Sequence, residues 1–229
     1  MTAIGQENLE IHKVFRVMQT VGEMMNDRKY LVPSELIPKT YDEFVQMYVQ
    51  QLDGGGSGEN APKRVIQRAR MTLPCERRLG ANGQCLRAIV FFYPNDGQFT
   101  KFLQEVLNRA RQDGCDRVII ITTTAPNAIM KKSVDVNNRR ENCIHVQLFE
   151  ENDLAVNITK HELVPKHTPL EPEEVKMALQ AHALELHQLP RILTTDPVAA
   201  YFGLERGQVV RIERKSMSAG LYVTYRQVV

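Results

Sequence analysis

The stretch from Ala88 to Thr122 constrains the fold of this chain more than any other. The apolar run Ala88-Ile-Val-Phe-Phe-Tyr93 leads into a helical pattern opened by Thr100 and closed before Gly114, and then into Val118-Ile-Ile-Ile-Thr122. Two continuous apolar runs joined by a crossover helix predict a parallel strand pair buried on both faces. Such strands cannot be joined by a tight turn, and neither face can stay wet. Phe102, Leu103, Val106, Leu107 and Ala110 give the helix an apolar stripe for the sheet. A further strand near Ile144 to Phe149 completes an α/β layer.

Upstream, Ile11, Val14, Phe15, Met18, Val21 and Met25 line one face of a helix starting near Glu7. Thr40 and Glu43 fit a capping box for a second helix, with Phe44, Val45, Tyr48 and Leu52 as its apolar face. The run Asp53-Gly-Gly-Gly-Ser-Gly58 ends that helix and is expected to form a mobile surface loop or a disordered insertion. Without a following Gly-Lys-Ser/Thr it is no phosphate-cradling loop. Candidate strands follow near Val65 to Leu73 and Leu86 to Tyr93.

After about Glu150, Pro165, Pro169, Pro172, Pro190 and Pro197 punctuate short elements. Pro172 suits the first turn of a helix whose positive end is favoured by Glu171, Glu173 and Glu174. Asp196 caps a short helix starting at Pro197 and stopped by Gly203. Gln208 to Lys215 and Leu221 to Val228 read as strands joined by a turn over Ser216 to Gly220. A length of 229 residues accommodates two domains. The change of character divides them into an α/β domain over 1–149 and a small α+β domain over 150–229.

The hydrophobic fraction of 43% and charged fraction of 24% are those of a folded globular chain. No run approaches the roughly 18 apolar residues of a membrane span, and Glu7 and Glu10 stand where a signal peptide would be basic and then apolar. The chain is therefore expected inside the cell. Cys75, Cys85, Cys115 and Cys143 lack the close CxxC pairing of a zinc ribbon or redox site and read as free thiols. A formal net charge of +2 identifies no nucleic-acid binder, but seven basic residues from Lys63 to Arg87 stand against the single acid Glu76. That patch can face phosphates or be a solvated strand-and-loop face.

Specific resemblance enters in the second domain. The segment Asn157-Ile-Thr-Lys-His-Glu-Leu-Val-Pro-Lys-His167 resembles the signature of the shared fifth subunit of eukaryotic RNA polymerases and of its archaeal counterpart, and it continues through Gln188-Leu-Pro-Arg-Ile192. The pattern resumes in Asp196-Pro-Val-Ala-Ala-Tyr-Phe-Gly-Leu-Glu-Arg-Gly-Gln-Val-Val210 and in Ser218-Ala-Gly-Leu-Tyr-Val-Thr-Tyr-Arg226. In the first domain, Phe15-Arg-Val17 and Asp27-Arg-Lys-Tyr-Leu-Val32 resemble the family's opening helix and following turn. Archaeal relatives are similar only to the second domain, so the added first domain marks a eukaryotic form.

The resemblance implies a non-catalytic subunit of a nuclear DNA-directed RNA polymerase, in the nucleus and with the nucleolus as one of its compartments. The second domain would anchor it to the largest subunit. The first would be part of the lower jaw beside downstream duplex DNA, with a three-layer, restriction-endonuclease-like core that lacks the catalytic motif. No catalytic residue, metal, cofactor or membrane partner is implied. Thr124-Ala-Pro-Asn-Ala128 aligns with the family's DNA-facing loop, making Pro126, Asn127, Lys131 and Lys132 the DNA-proximal residues. His161, Glu162, Leu163, Pro165 and His167 are the interface or turn-forming residues. Departures fall at Lys29, where the family has Gly, at Ala200 and Glu205, where it has basic residues, and at Met217, where it has Glu. They fit a distant lineage or a paralogue dedicated to one polymerase.

Other chemistries fit less well. His161-Glu162 with His167 departs from HExxH, whose histidines lie four apart on one helix face, and Pro165 interrupts a helix between them. His182 and His187, five apart, fail the same test. A nuclease would need clustered carboxylates and a lysine. Pro94-Asn-Asp96 starts such a pattern without a nearby Asp/Glu-x-Lys, and Asp27-Arg-Lys29 comes too early. A free-standing transcription adaptor using the same second domain is the alternative of another class.

Overall fold

In the computed structural model, which describes residues 3–52, 63–79, 84–140, 143–216 and 220–229, the Ala88–Thr122 segment forms the centre of a four-stranded sheet. The chain divides into two compact units, Met1–Val156 and Asn157–Val229. The first holds helices α1 (Ala3–Asp27), α2 (Tyr41–Tyr48), α3 (Phe99–Gln112) and α4 (Ala128–Asn138). Its strands are β1 (Val49–Leu52), β2 (Lys63–Ile66), β3 (Thr72–Leu79), β4 (Gln84–Phe92), β5 (Arg117–Thr122) and β6 (His145–Glu150).

The sheet order is β3-β4-β5-β6, with β4, β5 and β6 mutually parallel and β3 antiparallel to β4. The parallel pair expected from the two apolar runs is present. Ile89 and Phe91 of β4, Val118 and Ile120 of β5 and Val146 of β6 share one face and pack on Leu103, Val106, Leu107 and Ala110 of α3 and Val134 of α4. Each such large side chain removed from water contributes about 1.5–3 kcal/mol. The opposite face, with Val90, Phe92, Ile119 and Ile121 buried, carries Gln147 and Phe149. Arg28, which follows α1, donates to Gln147 Oε1 at 2.8 Å and lies 5.9 Å from the Phe149 ring centroid.

Both sheet edges are closed by local devices. At β3, Leu31 N donates to Glu76 O at 2.6 Å and Glu76 N returns a bond to Leu31 O at 3.1 Å. At β6, the Asn138 side chain accepts from Val146 N at 2.9 Å and donates to Val146 O at 2.8 Å, imitating a neighbouring strand. Asn137 Nδ2 adds a bond to Ile144 O at 2.8 Å.

The helix expected to start near Glu7 is α1, which begins earlier, at Ala3, and the capping box of Thr40 and Glu43 opens α2 as expected. Three readings are corrected. The second helix stops at Tyr48 rather than reaching Leu52, because Val49 turns extended and β1 pairs antiparallel with β2. The candidate strand Val65 to Leu73 is broken by a 3-10 turn at Arg68–Arg70, where Arg68 is drawn to Glu10 and Glu151. The third helix begins at Phe99, one residue before Thr100, and Gln98 at its cap makes no side-chain bond. The Asp96 carboxylate instead fixes this turn by accepting from Gln98 N at 3.0 Å and Tyr93 Oη at 2.9 Å. The glycine run Gly54 to Gly58 and Met217 lie outside the described residues.

Asn157–Val229 contains β7 (Lys166–Pro169), α5 (Pro172–Ala181), β8 (Arg191–Ile192), α6 (Pro197–Phe202), β9 (Val209–Ser216) and β10 (Gly220–Val228). Its sheet order is β7-β9-β10-β8. Val210, Ile212 and Val228 pack with Ala199 of α6, Ile192 and Leu204 on one face. On the other, Val175, Ala178 and Leu179 of α5 approach Val209 and Tyr225. The caps follow the sequence. Asp196 accepts from Val198 N and Ala199 N at 2.9 and 3.2 Å, and Gly203 ends α6 at φ +64°. Pro172 occupies the first turn of α5, and Glu171 forms a capping box with Glu174.

Candidate functional site

The loop after β5 is fixed from both ends. Thr122 Oγ1 lies 2.8 Å from Thr124 O and 3.2 Å from Phe149 O, which ties the loop root to β6. Asn127 then caps α4, its Oδ1 accepting from Met130 N at 2.8 Å and its carbonyl from Lys131 N at 3.1 Å. Pro126 is half-buried, and Asn127, Lys131 and Lys132 are exposed. The two amines therefore stand in the first turns of an 11-residue helix, at the positive end of its dipole. Val134 and Met130 turn to the sheet and hold the helix so that the lysines stay outside. Exposed amines at a helix N-terminus suit phosphate oxygens, and contacts of that kind position a duplex without identifying its bases.

The basic patch from Lys63 to Arg87 is different. Arg68 donates to Glu151 Oε1 and Glu10 Oε1, both at 2.9 Å, Arg87 pairs with Glu76 at 3.1 Å, and Arg64 reaches Asn8 Oδ1 at 3.5 Å. Two of its seven basic side chains, Arg68 and Arg87, thus face carboxylates of the chain itself. Burial opposes the charge on Arg68, but the hydrogen bond and ion pair with Glu151, then Glu10, outweigh it and raise its pKa.

In the second unit, Asn157 caps a 3-10 turn at Ile158–Lys160 by accepting from Thr159 N at 2.9 Å, while its Nδ2 donates to Tyr201 Oη at 3.1 Å. The chain then turns at His161, whose Nδ1 accepts from Leu163 N at 3.2 Å. His167 Nδ1 lies 2.7 Å from Pro165 O, and His167 pairs with Ile212 across β7 and β9. His161, Glu162 and Leu163 are exposed, Leu163 by 85%, whereas Pro165 and His167 are half-buried. The histidines serve separate local turns. Among the described residues no cluster of His, Cys, Asp or Glu is suited to a metal ion, and no described helix is long and apolar enough to cross a membrane.

Ala200 is half-buried on α6 and Glu205 exposed beyond it, Glu205 N donating to Gln208 Oε1 at 2.9 Å. Two structural partnerships were not foreseen from the residues alone, Arg68 with Glu151 and Asn157 with Tyr201. The second carried a signal, since Asn157 opens one motif and Tyr201 lies within another, and a buried amide requires a partner.

With this geometry in place, comparison with known proteins is decisive. Residues 8–161 match the family described as RNA polymerase Rpb5, N-terminal domain, and residues 156–228 match RNA polymerase Rpb5, C-terminal domain. The chain belongs to the Rpb5 family. A Caenorhabditis elegans relative named DNA-directed RNA polymerases I, II, and III subunit RPABC1 is 33% identical over 99% of this chain and 100% of its own length. An Arabidopsis thaliana relative named DNA-directed RNA polymerase subunit 5-like protein 1 is 31% identical over 95% of this chain and 96% of its own. The Dictyostelium discoideum RPABC1 subunit is 30% identical over 95% of this chain and 98% of its own length. Family membership therefore extends through both units, although the dense motifs lie in the second.

Proposed function

We propose that this Rpb5-family chain is a non-catalytic structural subunit of a nuclear DNA-directed RNA polymerase. The observation that carries the reading is the match to both Rpb5 domains in order along the chain. In this reading the second unit anchors to the largest subunit, using the exposed turn of His161, Glu162 and Leu163 and the Pro165 and His167 segment behind it. The first unit is part of the lower jaw, and the Pro126 loop with Lys131 and Lys132 lies beside downstream duplex DNA. The helix-flanked sheet of β3 to β6 supports a restriction-endonuclease-like core used without its catalytic motif.

Affinity purification of the full chain from nuclei, with identification of the co-purifying largest subunits, tests this. Recovery of several largest subunits fits a shared subunit, and recovery of one fits a dedicated paralogue. Recovery of transcription factors without any largest subunit overturns the reading in favour of an adaptor.

A further inference from the structure

Strand β10 is only partly an inner strand. It pairs with β9 along Gly220 to Gln227, whereas β8 reaches only Gln227 and Val228. From Leu221 to Tyr225 its second side therefore has no neighbouring strand among the described residues. The direction of its backbone groups follows from the bonds at its end. Val228 N donates to Gln208 O on the β9 side, whereas Gln227 N donates to Pro190 O and Val229 N to Ile192 O on the other. Alternation along an unbroken register then turns the amides and carbonyls of Leu221, Val223 and Tyr225 towards the open side. Among the described residues, none of these three backbones makes a backbone bond on that side.

The side chains at this edge are those of a covered strand. Leu221 is 56% and Tyr222 is 55% exposed. The device that closes the first sheet at Val146, a side chain imitating a strand, has no counterpart here among the described residues. Proteins rarely leave a long apolar edge unpaired, because it templates pairing with another chain. The neighbouring charge is mostly positive: Arg191 on β8, Arg214 and Lys215 on β9 and Arg226 on β10, against Glu213.

We propose that the open edge of β10 receives an extended segment of a partner polypeptide as an added strand. The segment carries an apolar side chain on each face, one beside Leu221 and one beside Tyr222, which point to opposite sides of the sheet, and is acidic at its flanks, to meet the arginines. Main-chain bonds to Leu221, Val223 and Tyr225 supply its register, as in other strand-addition contacts. This rests on the proposed anchoring of the second unit to the largest polymerase subunit and assigns part of that contact to β10.

Residue-resolved amide exchange of the full chain, alone and reconstituted with the largest subunit, tests it. Binding should slow exchange at Leu221, Val223 and Tyr225 by roughly tenfold or more. Thr224 and Arg226, already bonded to β9, should change little. V223P removes a donor only from the open side and should leave the isolated chain folded while weakening reconstitution. L221K, a charge at the exposed edge, provides a second variant that leaves the ladder intact. Reconstitution with no added protection at these three amides overturns the strand-addition inference and leaves the anchoring intact. Failure to reconstitute at all overturns both. Protection that appears in the isolated chain and rises with its concentration shows pairing between two copies and overturns the proposed partner.

Discussion

Arg68 donates through Nε to the Glu151 carboxylate at 2.9 Å, and Glu151 is 1% exposed. The same guanidinium also holds Glu10, so one side chain ties the 3-10 turn to α1 and to the residue just beyond β6. Removing one partner of a buried pair strands the other charge, which costs more than the pair contributes.

R68A is accordingly expected to destabilise the first unit by about 3–5 kcal/mol. The paired replacement R68M with E151L removes both charges and should recover most of that loss. Chemical denaturation of the parent, the single variant and the paired variant checks this. A single variant as stable as the parent would show that Glu151 is solvated or protonated.

Lys29 occupies a left-handed position, φ +66°, at the end of α1. Its amide bonds to Asn26 O at 2.8 Å and Tyr30 N bonds to Met25 O at 2.9 Å, the closing arrangement that glycine serves without steric cost. K29G should therefore stabilise the chain by about 1 kcal/mol and raise the melting temperature by about 2–4 °C. A lower melting temperature would show that the Lys29 side chain contributes more than its backbone costs.

The elements legible in the sequence were those whose signal is local. Continuous apolar runs identified β4 and β5, helical periodicity identified α1, and Asp196, Pro197 and Gly203 delimited α6. Readings failed where a distant partner decides. The helical spacing of Leu52 lost to pairing with Lys63 across β1 and β2, and the β-like run through Arg68 lost to carboxylates on α1 and beyond β6. The loop of Pro126 and Asn127 could be found from the family pattern. That Asn127 caps α4, and so sets where Lys131 and Lys132 stand, needed the fold.

Burial pushes the Cys75 thiol from 9.0 up to about 12, and burial likewise raises Tyr30, Tyr48 and Cys115. These groups ionise more readily in the unfolded chain, so their contribution is fully present below the unfolded values and is lost as pH rises. From about pH 9 to 12, Cys75 alone should lower stability by on the order of 1 kcal/mol per pH unit. C75A changes packing but removes this titration, and its unfolding free energy should fall less steeply with alkalinity than the parent's. In the native protein at neutral pH, exposed Cys85 should react with a thiol reagent well before buried Cys75. An unchanged alkaline slope in C75A would place the destabilisation elsewhere.

On the proposed jaw reading, Lys131 and Lys132 meet downstream DNA through phosphates. Their positions favour this, because both are exposed, they stand at the positive end of α4, and Asn127 holds the helix start in place. Asp135, one turn further along α4, is the nearest acid in sequence. Replacing both lysines by Glu should leave the fold and the assembly of polymerase intact, since neither side chain is in the core. Downstream DNA engagement should weaken equally for unrelated sequences, because phosphate contacts carry no base information. Loss of two such contacts should reduce the slope of log affinity against log salt by about 2. Binding of assembled parent and variant polymerase to several downstream duplexes over a salt series measures both effects. An unchanged slope would remove these lysines from the DNA contact, and a loss confined to one duplex sequence would show base recognition instead.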